Sequence, residues 1–246
     1  MGRKALNFYT RARHFRLHKV GDRVRRLRAG LTGDHLDVRR ARLDIRTAPI
    51  ILECGANVGS DTLRFLERWP RAEVHCFEPE PRTSDEWRRR VVSPRAHLFE
   101  VALAQTDGQS TFHRSSGHAP FESSSEPGPW SQSGSLRRPT GHLEAWPWVK
   151  FEEETTVRTR SLDSWAHEHA IGEVDLIWAD VQGAEEDLVR GGLETLARTR
   201  YLYTEVSDSE YYEGQIDLRG LLALLPGWDV LRRFPCDVLL RNAGHV

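Results

Sequence analysis

Lysine is almost missing from this chain. Only Lys4, Lys19 and Lys150 occur, although Lys and Arg together number 35 and Asp and Glu 36. The net charge is −1, so no global field draws the protein to nucleic acid or membrane. The arginine preference reads as genomic bias more than function. Cysteine is scarce as well. Cys54, Cys76 and Cys236 form neither a zinc spacing nor a disulfide framework, and each is expected in a buried strand as a reduced core residue. No apolar run is long enough to cross a membrane and no signal-peptide core is present, which gives a cytoplasmic expectation. No repeat period occurs. A length of 246 residues suits one α/β domain with a good-sized core.

One stretch organises the rest. Ile50, Ile51 and Leu52 run into Glu53, then Cys54-Gly55-Ala56-Asn57-Val58-Gly59, then Ser60 to Leu66, with Pro70 beyond. This reads as a buried strand, a tight glycine turn and a helix capped by Ser60 or Asp61. Such a unit opens many nucleotide-binding sheets. The dinucleotide pattern G-x-G-x-x-G is absent, and no P-loop lysine follows. The glycines are spaced G-x-x-x-G, with an acid at the strand tip that would repel a pyrophosphate but suits an amine-bearing ligand such as the methionine part of S-adenosylmethionine. A second apolar run, Val74 to Phe77, ends in Glu78-Pro79-Glu80-Pro81, and Glu78 is placed to accept from both hydroxyls of a ribose. The alternative is a generic α/β turn with two capping acids.

The run E-C-G-A-N-V-G followed by C-F-E-P-E-P resembles the opening of the FkbM-type family of S-adenosylmethionine-dependent class I methyltransferases. The later run Val174 to Glu185 resembles that family's second signature, usually written D-x-x-K-x-D-x-E-G-x-E. The similarity spans about Pro49 to Asn242. It implies a Rossmann-like α/β fold, a mostly parallel seven-stranded sheet finished by a C-terminal antiparallel hairpin. It implies S-adenosylmethionine as cofactor and O-methylation of a sugar, glycan or natural-product hydroxyl. Carried onto this chain, Glu53, Gly55, Ala56, Asn57 and Gly59 would hold the methionine end, Glu78 and Pro79 the ribose, and Leu103 the adenine, with Asp180 also at the cofactor. Two positions depart from the signature: Gln182 stands where Glu is usual and Trp178 where Lys is frequent.

From Pro49 onward the pattern alternates. Strands are expected near 50–54, 73–77, 97–101, 174–180, 201–206, 228–234 and 237–241, the last two forced into a hairpin by their short link. Helices are expected near 61–69, 82–92, 161–170, 184–198 and 217–225. The rhythm breaks between about 109 and 159, where two extra strands could pair around a Ser/Gly/Pro-rich stretch carrying Trp130, Trp146 and Trp148. A loop this long is functional or disordered; it reads as an acceptor-site lid, with an insertion whose tryptophans dock on its own surface as the alternative. Residues 1–48 are a basic extension in which Leu17, Val20, Val24, Leu27 and Leu31 recur at helical spacing up to Gly30 and Gly33. That amphipathic helix would pack on the sheet edge, join a second subunit, shape the substrate site, or lie on a membrane or nucleic acid.

The chemistry needs a group that takes a proton from an acceptor hydroxyl, at the ends of the central strands. Asp180 fits best, against the alternative of a helix cap. Glu205 ends the next strand, and Gln182 can hydrogen-bond an acceptor without acting as a base. Asp180, Glu205 and Asp208 could together hold a divalent cation. His113 and His118 border the lid. Two rivals stand: a nucleic-acid methyltransferase using the arginine-rich N-terminus, which lacks the Asn-Pro-Pro-aromatic motif of many base-methylating enzymes, and a non-catalytic cofactor-binding module. No nucleic-acid partner is expected.

Overall fold

The computed structural model describes residues 43–118 and 130–245. The amphipathic pattern of Leu17 to Leu31 lies outside the described residues. Within them the seven expected strands form one sheet. In chain order these are β1 (Ile50–Cys54), β2 (Glu73–Phe77), β3 (Ala96–Phe99), β7 (Val174–Ala179), β8 (Thr199–Glu205), β9 (Trp228–Arg233) and β10 (Asp237–Asn242). The spatial order is β3-β2-β1-β7-β8-β10-β9. The first five run parallel, and β10 is antiparallel to both neighbours. The central strands β1 and β7 are buried almost throughout because helices cover both faces, as parallel sheets require.

One face carries α1 (Ser60–Arg68) and α2 (Pro81–Arg90). There Phe65, Leu66 and Trp87 pack on Ile51, Val74, Cys76, Leu176 and Trp178. The other face carries α4 (Leu162–Glu168), α5 (Glu185–Arg190), α6 (Leu193–Ala197) and α7 (Leu218–Leu224). Leu162, Trp165, Leu188, Leu196 and Leu221 pack there on Leu52, Phe77, Ile177 and Leu202. The single helix expected over 184–198 is two helices. Gly191 meets the carbonyl of Ala104 so closely that a Cβ would lie 2.1 Å from its oxygen, and the helix breaks at that glycine pair. Below β1, Asp175 accepts from the backbone N–H of Ile50 at 2.9 Å and from Arg46 at 2.6 Å, fixing the entry of the chain into the sheet.

The expected insertion is more regular than its composition suggested. β5 (Gly108–Gly117) and β6 (Val149–Arg160) form a long antiparallel hairpin. β4 (Ala102–Leu103) joins β6 in a second, three-stranded sheet. The strand expected over 97–101 ends at Phe99 because the chain turns there, with Val101 N–H bonded to the Phe99 carbonyl at 2.9 Å. A short helix, α3 (Gly141–Ala145), precedes β6. Trp130 and Trp148 meet edge to face at 4.8 Å within the insertion, whereas Trp146 packs on Tyr211 at 4.9 Å and ties the insertion to the chain after β8.

Cys54 and Cys76 are free and buried. Cys236 is only half-buried, because it sits in the tight link between β9 and β10 rather than in a strand. No helix among the described residues is long and apolar enough to cross a membrane.

Candidate active site

The C-terminal ends of β3, β2, β1 and β7 open onto one cavity of about 330 Å³. Strand order sorts its chemistry. Beyond β3 lie Val101 to Leu103, an apolar wall. Beyond β2 lie Glu78 and Pro79, beyond β1 the turn Gly55 to Val58, and beyond β7 Asp180 to Gln182. The insertion supplies the opposite wall with Phe112, Ser131, Gln132, Gly134 and Leu136. The insertion therefore lines the cavity, through Phe112, Leu136 and the polar stretch between Ser131 and Gly134 and not through its tryptophans.

The β1 turn is tight. Gly55 has φ 89°, and a Cβ there would fall 2.0 Å from the Asp180 carbonyl oxygen, so only glycine lets the tips of β1 and β7 approach this closely. The Gly55 and Ala56 N–H groups both donate to the Phe77 carbonyl, at 2.9 and 3.0 Å. Asn57 sits in the left-handed region at φ 47°, where asparagine is tolerated. Its N–H donates to Glu78 Oε2 at 2.8 Å, and its side-chain amide donates to the Ser131 carbonyl at 2.9 Å. That amide ties the insertion to the turn.

Glu78 is buried and takes one backbone N–H on each oxygen, from Asn57 and from Glu80 at 2.9 Å. The Thr83 side chain is a third hydrogen-bond partner of this carboxylate. Burial raises its pKa to about 7, while the two backbone donors pull the other way.

Glu53 corrects the sequence reading. It lines no part of the cavity. Its carboxyl points into the layer beneath α1, where the Thr62 hydroxyl donates to Oε2 at 2.5 Å and the Cys76 thiol lies 3.4 Å away. It is 1% exposed, and burial, with the charge of Asp61, raises its pKa to about 8. Gly59 is a second correction. A Cβ there would strike Val91 at 2.5 Å and Trp87 at 2.8 Å, so this glycine lets α1 pack on α2 and does not touch the cavity. Gly59 is also the N-cap of α1, without a side-chain cap, so neither Ser60 nor Asp61 serves as one.

At the far end of the cavity the Gln182 amide bridges two carboxylates. Nε2 donates to Asp180 Oδ1 at 2.5 Å and to Glu205 Oε2 at 3.1 Å. The Tyr212 hydroxyl lies 2.9 Å from both Gln182 Oε1 and the Ser133 carbonyl. Asp180 is open to the cavity, yet protein surrounds it on the other sides. That desolvation, then the charge of Glu205, holds its pKa well above the ordinary carboxylate value. Glu205 meets this network through Gln182.

Asp208 does not join them. It points outward, 3.6 Å from Arg233, and among the described residues no group of three or more His, Cys, Asp or Glu is arranged to hold a metal. His113 pairs with Glu154 at 3.1 Å on the outer side of the hairpin, away from the cavity lining, and His118 is exposed.

Sequence reasoning missed Asp61 and Arg64, both of which line the cavity from α1. A helical projection of the segment after the turn would have found them, since they lie three residues apart on one face. Within the insertion it singled out the tryptophans and missed Ser131, Gln132, Gly134 and Leu136, which line the cavity.

The family model for the methyltransferase FkbM domain matches residues 53–234. The chain belongs to that family. This FkbM methyltransferase is 46% identical over 199 residues to the 2-O-methyltransferase NoeI of Sinorhizobium fredii (strain NBRC 101917 / NGR234), a match covering 79% of each chain. It is 26% identical over 217 residues to the AMB antimetabolite synthetase AmbE of Pseudomonas aeruginosa, covering 78% of this chain and 10% of that one. Among solved structures, the Aeropyrum pernix fibrillarin with natively bound S-adenosyl-L-methionine matches 83% of this chain and 76% of its own at 11% identity, with a TM-score of 0.41. The protein is an S-adenosylmethionine-dependent methyltransferase. Its cavity residues fit that cofactor: an apolar wall, a buried acid at the cavity lining, a turn tight enough for close backbone approach, and carboxylates beyond.

Proposed function

We propose that this enzyme transfers a methyl group to a hydroxyl of a sugar, glycan or natural-product acceptor, with Asp180 taking the hydroxyl proton. The observation that carries the reading is the cavity's end, where Asp180 and Glu205 are bridged by one amide. The 46% identity to a 2-O-methyltransferase supports hydroxyl oxygen as the acceptor atom.

S-adenosylmethionine, when bound, supplies a methyl group on a sulfonium, a leaving group that needs no acid. What is left to the protein is to hold the acceptor in line and to accept its proton. Val101 to Leu103 and Phe112 would face the adenine, and Glu78 would accept from the ribose hydroxyls. Asp180 faces the cavity with a raised pKa, which makes its anion a stronger base than an ordinary carboxylate. Gln182 holds that carboxylate in one orientation, and Tyr212 holds Gln182. Gln182 thus positions the base, a role that an amide fills where the signature usually has Glu. We assign the described fold to a methyltransferase domain over residues 49–246, preceded by a basic extension over 1–48.

The test is methyl transfer to a panel of hydroxylated sugars, oligosaccharides and natural products, followed by mass spectrometry. An O-methyl product that disappears with Asp180→Asn supports the reading. Turnover on amines or nucleic acid, with none on any hydroxyl, would overturn it.

A further inference from the structure

Strand order leaves one part of the cofactor without a partner. The apolar tip of β3, the acid after β2 and the carboxylate after β7 succeed one another across the sheet. The sulfonium's third arm, which carries neither the ribose nor the methyl group, must then lie at the tip of β1, where α1 begins. That arm ends in an α-amino acid, with an ammonium and a carboxylate on one carbon. Glu53, the acid of the β1 strand, is turned into the core and bonded to Thr62, so it reaches neither group.

Two charged side chains do line the cavity at this point. Asp61 and Arg64 stand on consecutive turns of α1 and form an ion pair, with Arg64 Nη1 2.6 Å from Asp61 Oδ1. Arg64 is the only cation among the described residues that line the cavity. Both side chains are partly open, Arg64 at 40% and Asp61 at 30% exposure, so each keeps a face for a further charged partner. The α1 N-terminus beside them has no side-chain cap, so the first-turn N–H groups have no carboxylate or hydroxyl cap of their own.

We propose that Asp61 and Arg64 are a clamp for the α-amino acid end of the cofactor, Asp61 taking the ammonium and Arg64 the carboxylate. The proposal rests on the S-adenosylmethionine reading above. A zwitterion laid along this pair places each charge against its opposite and keeps the existing pair intact, a closed arrangement of four alternating charges. The competing account is an ordinary exposed i,i+3 pair, which contributes little to anything.

Two ligands separate the accounts. S-adenosylhomocysteine carries the amino acid end, whereas 5′-methylthioadenosine keeps adenine, ribose and sulfur but lacks it. Both are titrated calorimetrically into the full chain and into Arg64→Gln and Asp61→Asn. The clamp predicts that each variant binds S-adenosylhomocysteine about tenfold or more weakly, while 5′-methylthioadenosine affinity stays within about twofold of wild type. Unchanged S-adenosylhomocysteine affinity in both variants overturns the clamp. Equal loss for both ligands also overturns it, because the residues would then be shaping the β1 turn and not reading the amino acid. If the wild type binds neither ligand, the cofactor reading itself fails and takes the clamp with it.

Discussion

Glu53 offers a test that separates the core from the site. It is 1% exposed, and its pKa is raised from the ordinary 4.5 to about 8, first by burial and then by Asp61. A carboxyl whose folded pKa is raised destabilises the fold once the unfolded form can ionise. Below pH 4.5 both states hold the proton and there is no cost. As pH rises toward 8 the unfolded state ionises alone, and stability falls by about 1.4 kcal/mol per pH unit. Over the window from 4.5 to 8 the loss is roughly 4–5 kcal/mol, and by pH 7 it is about 3 kcal/mol. Above pH 8 the folded form ionises too, and the loss stops growing. Glu53→Gln removes the titration while keeping an oxygen for the Thr62 hydroxyl. Its extra N–H lacks an obvious acceptor and would cost about 1–2 kcal/mol at every pH.

The assay is urea unfolding of wild type and Glu53→Gln at pH 5, 6, 7 and 8, reading the difference between the two proteins. Taking that difference cancels every other titrating group. The expected result is a variant that gains on the wild type steadily with pH, by about 1 kcal/mol or more per unit between pH 5 and 8. A difference that is flat with pH would refute the reasoning, since Glu53 would then ionise as freely in the fold as outside it. Cofactor affinity is a second readout. If Glu53 faces only the core, the variant should bind S-adenosylmethionine within about threefold of wild type. A tenfold loss in a stable variant would mean that the carboxyl turns to the ligand after all.

Other expectations follow from single contacts. Gly55→Ala places a Cβ 2.0 Å from the Asp180 carbonyl oxygen at φ 89°; it should lower the thermal midpoint and abolish cofactor binding, both checked on the same sample by scanning and titration calorimetry. Glu78→Ala should weaken S-adenosylmethionine by about tenfold or more, about 1.4 kcal/mol. Because the Glu78 pKa is raised to about 7 and the anion accepts hydrogen bonds better, wild-type affinity should rise between pH 6 and 8, with that rise absent in Glu78→Gln. Asp180→Asn should reduce kcat by about a hundredfold or more with little change in cofactor affinity, read by single-turnover methyl transfer. Tyr212→Phe removes the hydroxyl beside Gln182 Oε1 and the Ser133 carbonyl; kcat should fall more than cofactor affinity, and equal losses would contradict a role at the acceptor end.

The sheet was legible because its first strands are apolar runs separated by turn residues and its last two are joined by a short link, and all seven were placed within about two residues. A predicted site residue reaches the cavity where it stands just past the end of its strand. Glu78 follows β2 (Glu73–Phe77) and Asp180 follows β7 (Val174–Ala179), so each lies beyond the last pleat, where the cleft begins. Glu53 is the penultimate residue of β1 (Ile50–Cys54), still inside the pleat, and alternation commits it to the layer under α1 with Ile51. A motif locates an acid to within a residue, but one residue decides which layer receives it. Gly59 failed for a related reason, since spacing does not say whether a glycine faces a ligand or a helix. The insertion's paired strands were legible, but the stretch from Ser131 to Leu136 that faces the cavity was not, because its residues carry no periodic pattern.

The two departures from the FkbM signature belong to different problems. Gln182 lies in the cleft and joins two acids through its amide. Trp178 lies in the core, directly beside Glu53 in the β1–β7 register. A lysine at 178, frequent in the signature, would stand next to the buried acid on the same face and could keep it ionised. Here Trp178 stacks on Tyr203 at 4.0 Å and meets Phe65 edge to face at 5.4 Å. Aromatic packing thus fills the position beside Glu53. It also leaves Glu53 without a cation, which is why burial prevails over its two hydrogen bonds and the proton stays on near neutral pH. The acid that the opening motif offers to a ligand has become part of the core, and the cavity's charge at the β1 tip comes from Asp61 and Arg64 instead.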